Sequence, residues 1–582
     1  MLRGKKFLSY LLVTASVLSL TACGGQATDS ADAEIKQSET PASGGSEAAT
    51  DTADGEATAS NIGFEPYEEE LNIHIGRLAS QHTVSTLLPG DTLEDNPYTR
   101  YVKEKLNITF TDEIEAGDDD YRNAIALAAA SGDVPELFTV TSYDTLVDLV
   151  ESDLIEDLTD AFDKYASDYI KHNVYDSFDG RCLDMATFGG KLMALPGTNA
   201  DNGVPTLVWF RKDWLDKLGL NPDEDGDLCV TVEDVERIAK EFVEKDPSGQ
   251  GTIGIAMSEG PGDAEWIVNA YGGTVGKWLD NGDGTITWST LSDANKKAWE
   301  TMNRWFEEGL LDPQFGTRTY GDVTSLLIEN KCGIAFGAWH MPDWRFSHVK
   351  DANPEAEYAA YAILDVNGKI TAAHENPTNH FIVVRKGYEH PEAAVKIQNV
   401  IFDELANATM ETAPEVMQFV MNGGDNFTKP VQIECLPSNT KEVYYTEHQA
   451  VLKGEITPDQ TSTAENKNSS SIMMEYLKDP ENVTEETRTG WSFYNSRITG
   501  LGAAIGAVEK NNNMNWISPL YPPTLDEMEQ KKGALDTVEA KAYIKIITGE
   551  EPIDYFETYK DEWMSYGGSD IIAEMEEYYA NK

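Results

Sequence analysis

Two tryptophans, Trp339 and Trp344, bracket His340 and Asp343 in the stretch CGIAFGAWHMPDW. A flat aromatic face can lie under the C–H-rich side of a polyhydroxylated ring, and an imidazole or carboxylate beside it can bond the hydroxyls. Trp339 is the first candidate for such a wall and Trp344 the second. The competing reading is that Trp339 closes a core at the end of a buried strand. A second group holds Gln81 and His82, then Asp95 and Asn96, then Ser142 and Tyr143. Each follows or precedes an element at the expected edge of a sheet. Asn96 precedes Pro97 and can equally cap a helix; Ser142 can do the same. Trp209, Arg211, Asn269 and Trp278 are further binding candidates, with Trp278 also fitting a core. Around 221–232 the sequence NPDEDGDLCVTV sets Asn221, Asp223, Asp225 and Asp227 at alternate positions with Gly226 between them. Oxygen ligands so spaced suit calcium, but Val232 stands where the bidentate acid of such a loop belongs. No organic cofactor is implied, and calcium is the one metal expectation. Neither a Gly-x-Ser-x-Gly elbow, a phosphate loop nor a dinucleotide fingerprint is present, so no catalytic residue is assigned.

The chain opens with Arg3, Lys5 and Lys6 and an apolar run to Ala22, the pattern of an export signal and too short for a comfortable membrane span. Leu20-Thr21-Ala22-Cys23 resembles the bacterial lipoprotein signal. That resemblance implies a signal peptide over 1–22, with Cys23 as the acylated mature N-terminus and a lipid anchor on the outer face of the cell membrane. Residues 23–62 are Gly, Ser, Ala, Thr and acids with almost nothing to pack, and read as a disordered acidic tether.

Across 582 residues, 101 acids against 45 bases give a formal charge of −56. Such a body is repelled by nucleic acid and by anionic lipid, which favours a neutral or cationic ligand. Beyond Cys23 the cysteines are Cys182, Cys229, Cys332 and Cys435, with no CxxC spacing, and they read as buried small hydrophobes.

These candidates need elements to position them. LNIHIGRLAS reads as a strand, NPYTRYVKEKLN as a helix begun at Pro97, and DDDYRNAIALAAASGDVPELFTV as a helix stopped by Gly132 before another strand. This βαβαβ rhythm predicts a parallel sheet covered by helices, with pocket loops beyond its C-terminal strand ends. GGKLMALPG reads as a hairpin edge and PTLVWFRKDWLDKLGL as a strand running into a helix. Thr231 is placed to cap a helix with Asp234 at capping-box distance. The last fifty residues are mostly amphipathic helix.

Five stretches, in order, resemble the extracellular solute-binding proteins of ABC importers, and more narrowly their large Gram-positive lipoprotein subgroup. They are AAASGDVPELFTV, WFRKDWLDKLGL, CGIAFGAWHMPDW, HFIVVRKGYEHPEAAVK and the tail AYIKIITGEEPIDYFETYKDEWMSYGGSDIIAEMEEYY with Pro552, Trp563, Gly567 and Gly568. NPDEDGDLCVT departs from the Pro-Thr-Thr that usually precedes the helix there. The resemblance implies a two-lobed α/β fold of the periplasmic-binding-protein type II with extra C-terminal helices. The first lobe is expected over 63–190 plus 360–415, the second over 195–355 plus 416–530, and a helical segment over 531–582. It also implies a non-enzymatic monomer that captures a carbohydrate, expected to be an oligosaccharide, and hands it to permease subunits. A peptide or other small solute is the alternative ligand, and a secreted glycan-active enzyme the remaining alternative.

Overall fold

The computed structural model describes residues 62–200, 204–378, 380–421, 424–484 and 487–581. The leader, Cys23 and nearly all of the tether lie outside the described residues. Among the described residues no helix is long and apolar enough to cross a membrane.

The first lobe is built on a five-stranded sheet in the order Ile108–Ala116, Leu71–Leu78, Leu137–Val140, Phe381–Val384, Leu195–Pro196. The first three strands are parallel, and Phe381–Val384 returns antiparallel. Its helices start where local chemistry dictates. Asn96 caps Pro97–Leu106 in a capping box with Thr99, and Gly132 ends Asp118–Ser131 with a φ of 75° that a side chain would resist. In the strand Leu71–Leu78, Ile73 and Ile75 are buried while Asn72 and His74 are exposed, the period-two pattern of one covered face.

The second lobe has a four-stranded sheet, Ile334–Gly337, Leu207–Arg211, Tyr358–Ile363, Cys229–Val230. Alternation along its central strand builds two cores. Val208 and Phe210 join one with Trp266 and Trp305, whereas Leu207 and Trp209 join the other with Phe346 and Trp491. The C-terminal helices Asp526–Ile547, Tyr555–Trp563 and Ser569–Asn581 cover the first of these, adding Tyr543, Tyr559 and Trp563. Buried Glu539 accepts from Trp288 Nε1 at 2.8 Å and from the Tyr559 hydroxyl at 3.0 Å.

Three stretches of described residues, 197–200 with 204–206, 364–378 with 380, and 436–439, run between the lobes. They are tied together by Gly197 N donating to the His380 carbonyl (2.8 Å), Thr198 N to Glu434 (2.7 Å) and Asn199 N to Pro377 (2.9 Å). The later boundaries differ from those expected. Tyr358–Ile363 pairs with Leu207–Arg211 in the second lobe, so the return begins only at Phe381. Val416, Phe419, Val431 and Ile433 pack into the first lobe's core, so that lobe extends to about residue 435. Both shifts arise because short strands and helices choose their partner by packing, which local pattern does not encode.

Helix Thr440–Lys453, after the third crossing, buries His448 completely. Its Nδ1 donates to the Tyr444 carbonyl at 2.5 Å and its Nε2 lies 2.7 Å from Ser469 Oγ. Burial is the largest cause that pulls this imidazole down to about 4. An unfolded histidine titrates near 6.5, so between the two values the unfolded chain binds more protons. Stability is therefore expected to fall as pH drops from 6.5 towards 4, by at most about 3 kcal/mol at about 1.4 kcal/mol per unit. Denaturation midpoints against pH test this: His448→Gln should flatten the curve in that window, and an unchanged slope would refute the assignment.

Candidate functional site

The first lobe presents the loops that follow its parallel strands. Ser80 caps a short helix, Gln81–Ser85, by accepting from Thr83 N (3.1 Å), and the Thr83 hydroxyl donates to Asp425 at 2.6 Å. Gln81 is exposed, and the His82 side chain lies outside the described residues. Asp95 is exposed and pairs with Arg100 at 2.7 Å. Asn96, expected either to bind or to cap, caps. It is fully buried, its Oδ1 takes Tyr98 N and Thr99 N, and its amide donates to the carbonyls of Leu93 and Thr428. Its side chain is committed to the fold, so the binding expectation for Asn96 is corrected. Ser142 caps Tyr143–Glu151. Tyr143 is half-buried against Phe188 and Phe381. Beside it, Asp144 accepts from Thr524 N (2.6 Å) and Oγ1 (2.8 Å), joining the first lobe to the chain leading into the C-terminal helices.

In the second lobe, a cavity of about 420 Å³ opens over the ends of Leu207–Arg211 and Ile334–Gly337. Two of the aromatic rings lining it are exposed: Tyr320 and Trp344, stacked with centroids 5.6 Å apart at 23° and each 43% exposed. Trp344 lies in the first turn of Met341–Ala352, whose Pro342 suits a helix start. Buried Arg345 sets its guanidinium 4.1 Å from the Tyr320 ring centroid and donates from Nε to Thr324 Oγ1 at 2.9 Å. Trp266 lines the cavity, stacked on Phe336 at 3.7 Å. Glu265 accepts from Thr274 Oγ1 at 2.5 Å, and burial raises its carboxyl above the ordinary carboxylate range. An open aromatic face beside fixed cationic and acidic groups can hold a ring with one apolar side and polar substituents around it.

Trp339 is placed differently from the wall expected of it. It is 6% exposed, within the core that includes Trp209, and the cations of Lys441 and Arg497 lie 5.3 and 5.7 Å from its ring. His340 is half-buried against it. Asp343 accepts from Ser492 (3.1 Å), Ser496 (2.8 Å) and Arg497 (2.6 Å), fixing helix Met341–Ala352 to the helices behind it. The remaining candidates are structural. Trp209 is fully buried; Arg211 forks onto Asp213 with two 2.7 Å bonds; Asn269 donates to the Gly273 carbonyl at 2.9 Å; Trp278 packs with Trp288 and Trp563. Beside the crossings, a further cavity of about 400 Å³ is lined by Arg181, His374 and Trp516, the last two stacked at 4.5 Å. Sequence reasoning missed Tyr320, Arg345, Glu265 and Trp516. Thr319, which caps Tyr320–Ile328 in a capping box, was the one available signal that Tyr320 begins a helix.

The acidic loop brings Asp223, Asp225 and Asp227 together, with carboxylate oxygens within 4.8 Å of one another, a cluster that could hold a divalent ion. The donors are all oxygen, as a hard cation requires. Asp223 also braces the loop, accepting from Gly226 N, Asp227 N and Leu228 N. Asn221 Oδ1 accepts from Asp223 N at 3.2 Å, and Val232 opens the next helix as a buried residue. The site so formed is a three-carboxylate cluster without a twelfth-position acid.

Residues 89–401 match the family model described as bacterial extracellular solute-binding protein. The chain is 20% identical over 517 residues to lipoprotein LipO of Bacillus subtilis (strain 168), covering 82% of this chain and 87% of the relative. It is 22% identical over 494 residues to the polygalacturonan/rhamnogalacturonan-binding protein YtcQ of the same organism, covering 83% and 88%. Among solved structures it is similar to the Streptococcus pneumoniae ABC-transporter substrate-binding protein FusA in complex with kestose. That match has a TM-score of 0.52 and 16% identity, covering 88% of this chain and all of the other. The two lobes, their three crossings and these matches agree: the chain belongs to the family 1 extracellular solute-binding proteins of ABC importers.

Proposed function

We propose that the protein captures an oligosaccharide between its lobes and delivers it to the permease of an ABC importer, held at the outer face of the membrane by acyl chains on Cys23. The observation that carries the reading is the exposed Tyr320–Trp344 stack beside Arg345 and Glu265 at the second lobe's strand ends. Such a face suits the C–H side of a sugar, and fixed polar groups around it penalise a ligand that lacks the matching hydroxyls. The names of two relatives support the class: one is described as binding polygalacturonan and rhamnogalacturonan, and one is solved with kestose. Ser80, Gln81, Ser142 and Tyr143 on the first lobe are the groups this reading sets opposite the stack.

Thermal-shift measurement over a panel of mono- and oligosaccharides tests the proposal, since a ligand that binds only the folded state raises Tm by mass action. One glycan series should raise Tm progressively with concentration; a flat response across the panel, with a rise for peptides, would transfer the reading to a peptide carrier.

Calcium at Asp223, Asp225 and Asp227 is the accompanying metal proposal. Millimolar calcium is expected to raise Tm by a few degrees in the native chain, and Asp225→Ala should remove the rise without touching the backbone bonds that Asp223 accepts. A native chain indifferent to calcium would leave the loop a self-braced turn.

A further inference from the structure

A cavity of about 530 Å³ lies beside the third crossing, between the first lobe and the helices Thr440–Lys453 and Ala464–Tyr476 of the second. It shares no lining residue with the strand-end cavity. Its first-lobe wall carries Ile401, Phe402, Leu405 and Met417 beside the polar Asn426, Lys429 and Glu434, while its second-lobe wall offers Thr440, Ser462 and Asn468. One cation lines it. The Lys429 ammonium sits 4.7 Å from the centroid of Phe402 and 5.6 Å from that of Tyr98. Among the described residues it makes no hydrogen bond and no close ion pair, although the carboxylates of Glu434 and Asp425 act on it electrostatically and offset part of its desolvation. Lys429 keeps part of its surface open, yet the protein around it is dense enough that desolvation pulls the amine down to about 8. Ring faces compensate only part of the desolvation of an ammonium. A cation in such a place is stabilised by an anion that enters with an apolar body.

We propose that this cavity is a second ligand site, for an amphiphilic monocarboxylate whose carboxylate pairs with Lys429 and whose ring or chain packs on Ile401, Phe402 and Met417. A single negative charge is the limit, because Glu434 and Glu465 also line the cavity. Glu465 is already engaged, accepting from the Tyr444 hydroxyl at 2.9 Å. Polar substituents on the ligand would meet Thr440 and Ser462 across the gap. Because the two walls belong to different lobes, an occupant bridges them next to a crossing segment, where it biases closure over the strand-end site. This inference goes beyond the saccharide reading and does not depend on it.

The test titrates the full chain with benzoate, trans-cinnamate and 4-phenylbutyrate, and with the corresponding amides, by calorimetry and thermal shift. At least one acid should bind saturably and its amide at least about tenfold more weakly, the loss expected when a charge-assisted bond is removed. Lys429→Met should lose acid binding by a similar factor, and Lys429→Arg should keep it. Three acids that all fail to bind, amides that bind as well as acids, or Lys429→Met binding the acids unchanged would each overturn the proposal. So would competition between the acid and a saccharide for one site. The acid–amide comparison uses the native chain alone, so it decides the matter even if a variant fails to fold. A saccharide panel without response leaves this result standing, and the reverse also holds.

Discussion

Trp344→Ala is expected to weaken capture of the saccharide about 30-fold. Trp344 is 43% exposed, and its ring stacks on Tyr320 at an angle of 23° beside the cavity. A bound sugar would desolvate that face, and truncating a central aromatic contact typically costs roughly 2 kcal/mol, where 1.4 kcal/mol is tenfold. The fold should tolerate the change, because exposed positions outside special features usually shift stability by no more than about 0.5 kcal/mol. Calorimetric titration of the variant, with its Tm as control, reads both. Affinity within twofold of the native value would remove the stack from the binding account. Trp339→Ala should behave in the opposite way: the ring is in the core and carries Lys441 and Arg497 on it, so Tm should drop markedly whatever happens to affinity.

The largest effect on stability is expected at Asp112. Arg77 is fully buried at the end of Leu71–Leu78, and it donates from Nε to Asp112 Oδ1 at 2.7 Å, with Nη2 2.6 Å away from the same atom. The pair joins the strand Leu71–Leu78 to Ile108–Ala116 just past an irregularity in their register at Ile75 and Gly76, and it holds the strand that leads to Ser80 and Gln81. Asp112→Ala leaves a buried guanidinium without its counter-charge and should destabilise the protein by about 3–5 kcal/mol. The double change Arg77→Met with Asp112→Leu removes both charges and should recover most of that loss. Urea denaturation of the three proteins reads the comparison; a single variant as stable as the native chain would contradict it.

Much of the architecture was legible because it is local. Asn96 before Pro97, Gly132 after an alanine-rich helix, and Thr231 three residues before Asp234 each specify an end through one or two hydrogen bonds, and each stands where expected. The parallel sheet followed from the βαβαβ rhythm, and the two lobes from the five family stretches. What stayed hidden depends on which distant surface covers a residue. Trp339 and Trp344 look alike in sequence, yet helix Arg488–Tyr494 and the turn that follows it, ending at Gly500, cover the first and leave the second open. A Cβ on Gly500 would lie 2.3 Å from the Trp339 carbonyl, which shows how closely that cover fits. Tyr320 is brought beside Trp344 by packing of Tyr320–Ile328 on Met341–Ala352, and no spacing rule joins residues that far apart. Strand Tyr358–Ile363 likewise pairs with Leu207–Arg211 across about 150 residues, and Val431 and Ile433 pack into the first lobe's core, which is why the lobe boundaries were displaced.

The most direct measurement is a calorimetric titration of the purified protein with the oligosaccharide that shifts Tm most, set against peptides of similar size. The account predicts saturable binding of one saccharide per chain, weakened about 30-fold by Trp344→Ala, with no heat from the peptides. Peptide binding that is insensitive to Trp344, with no saccharide binding, would contradict it.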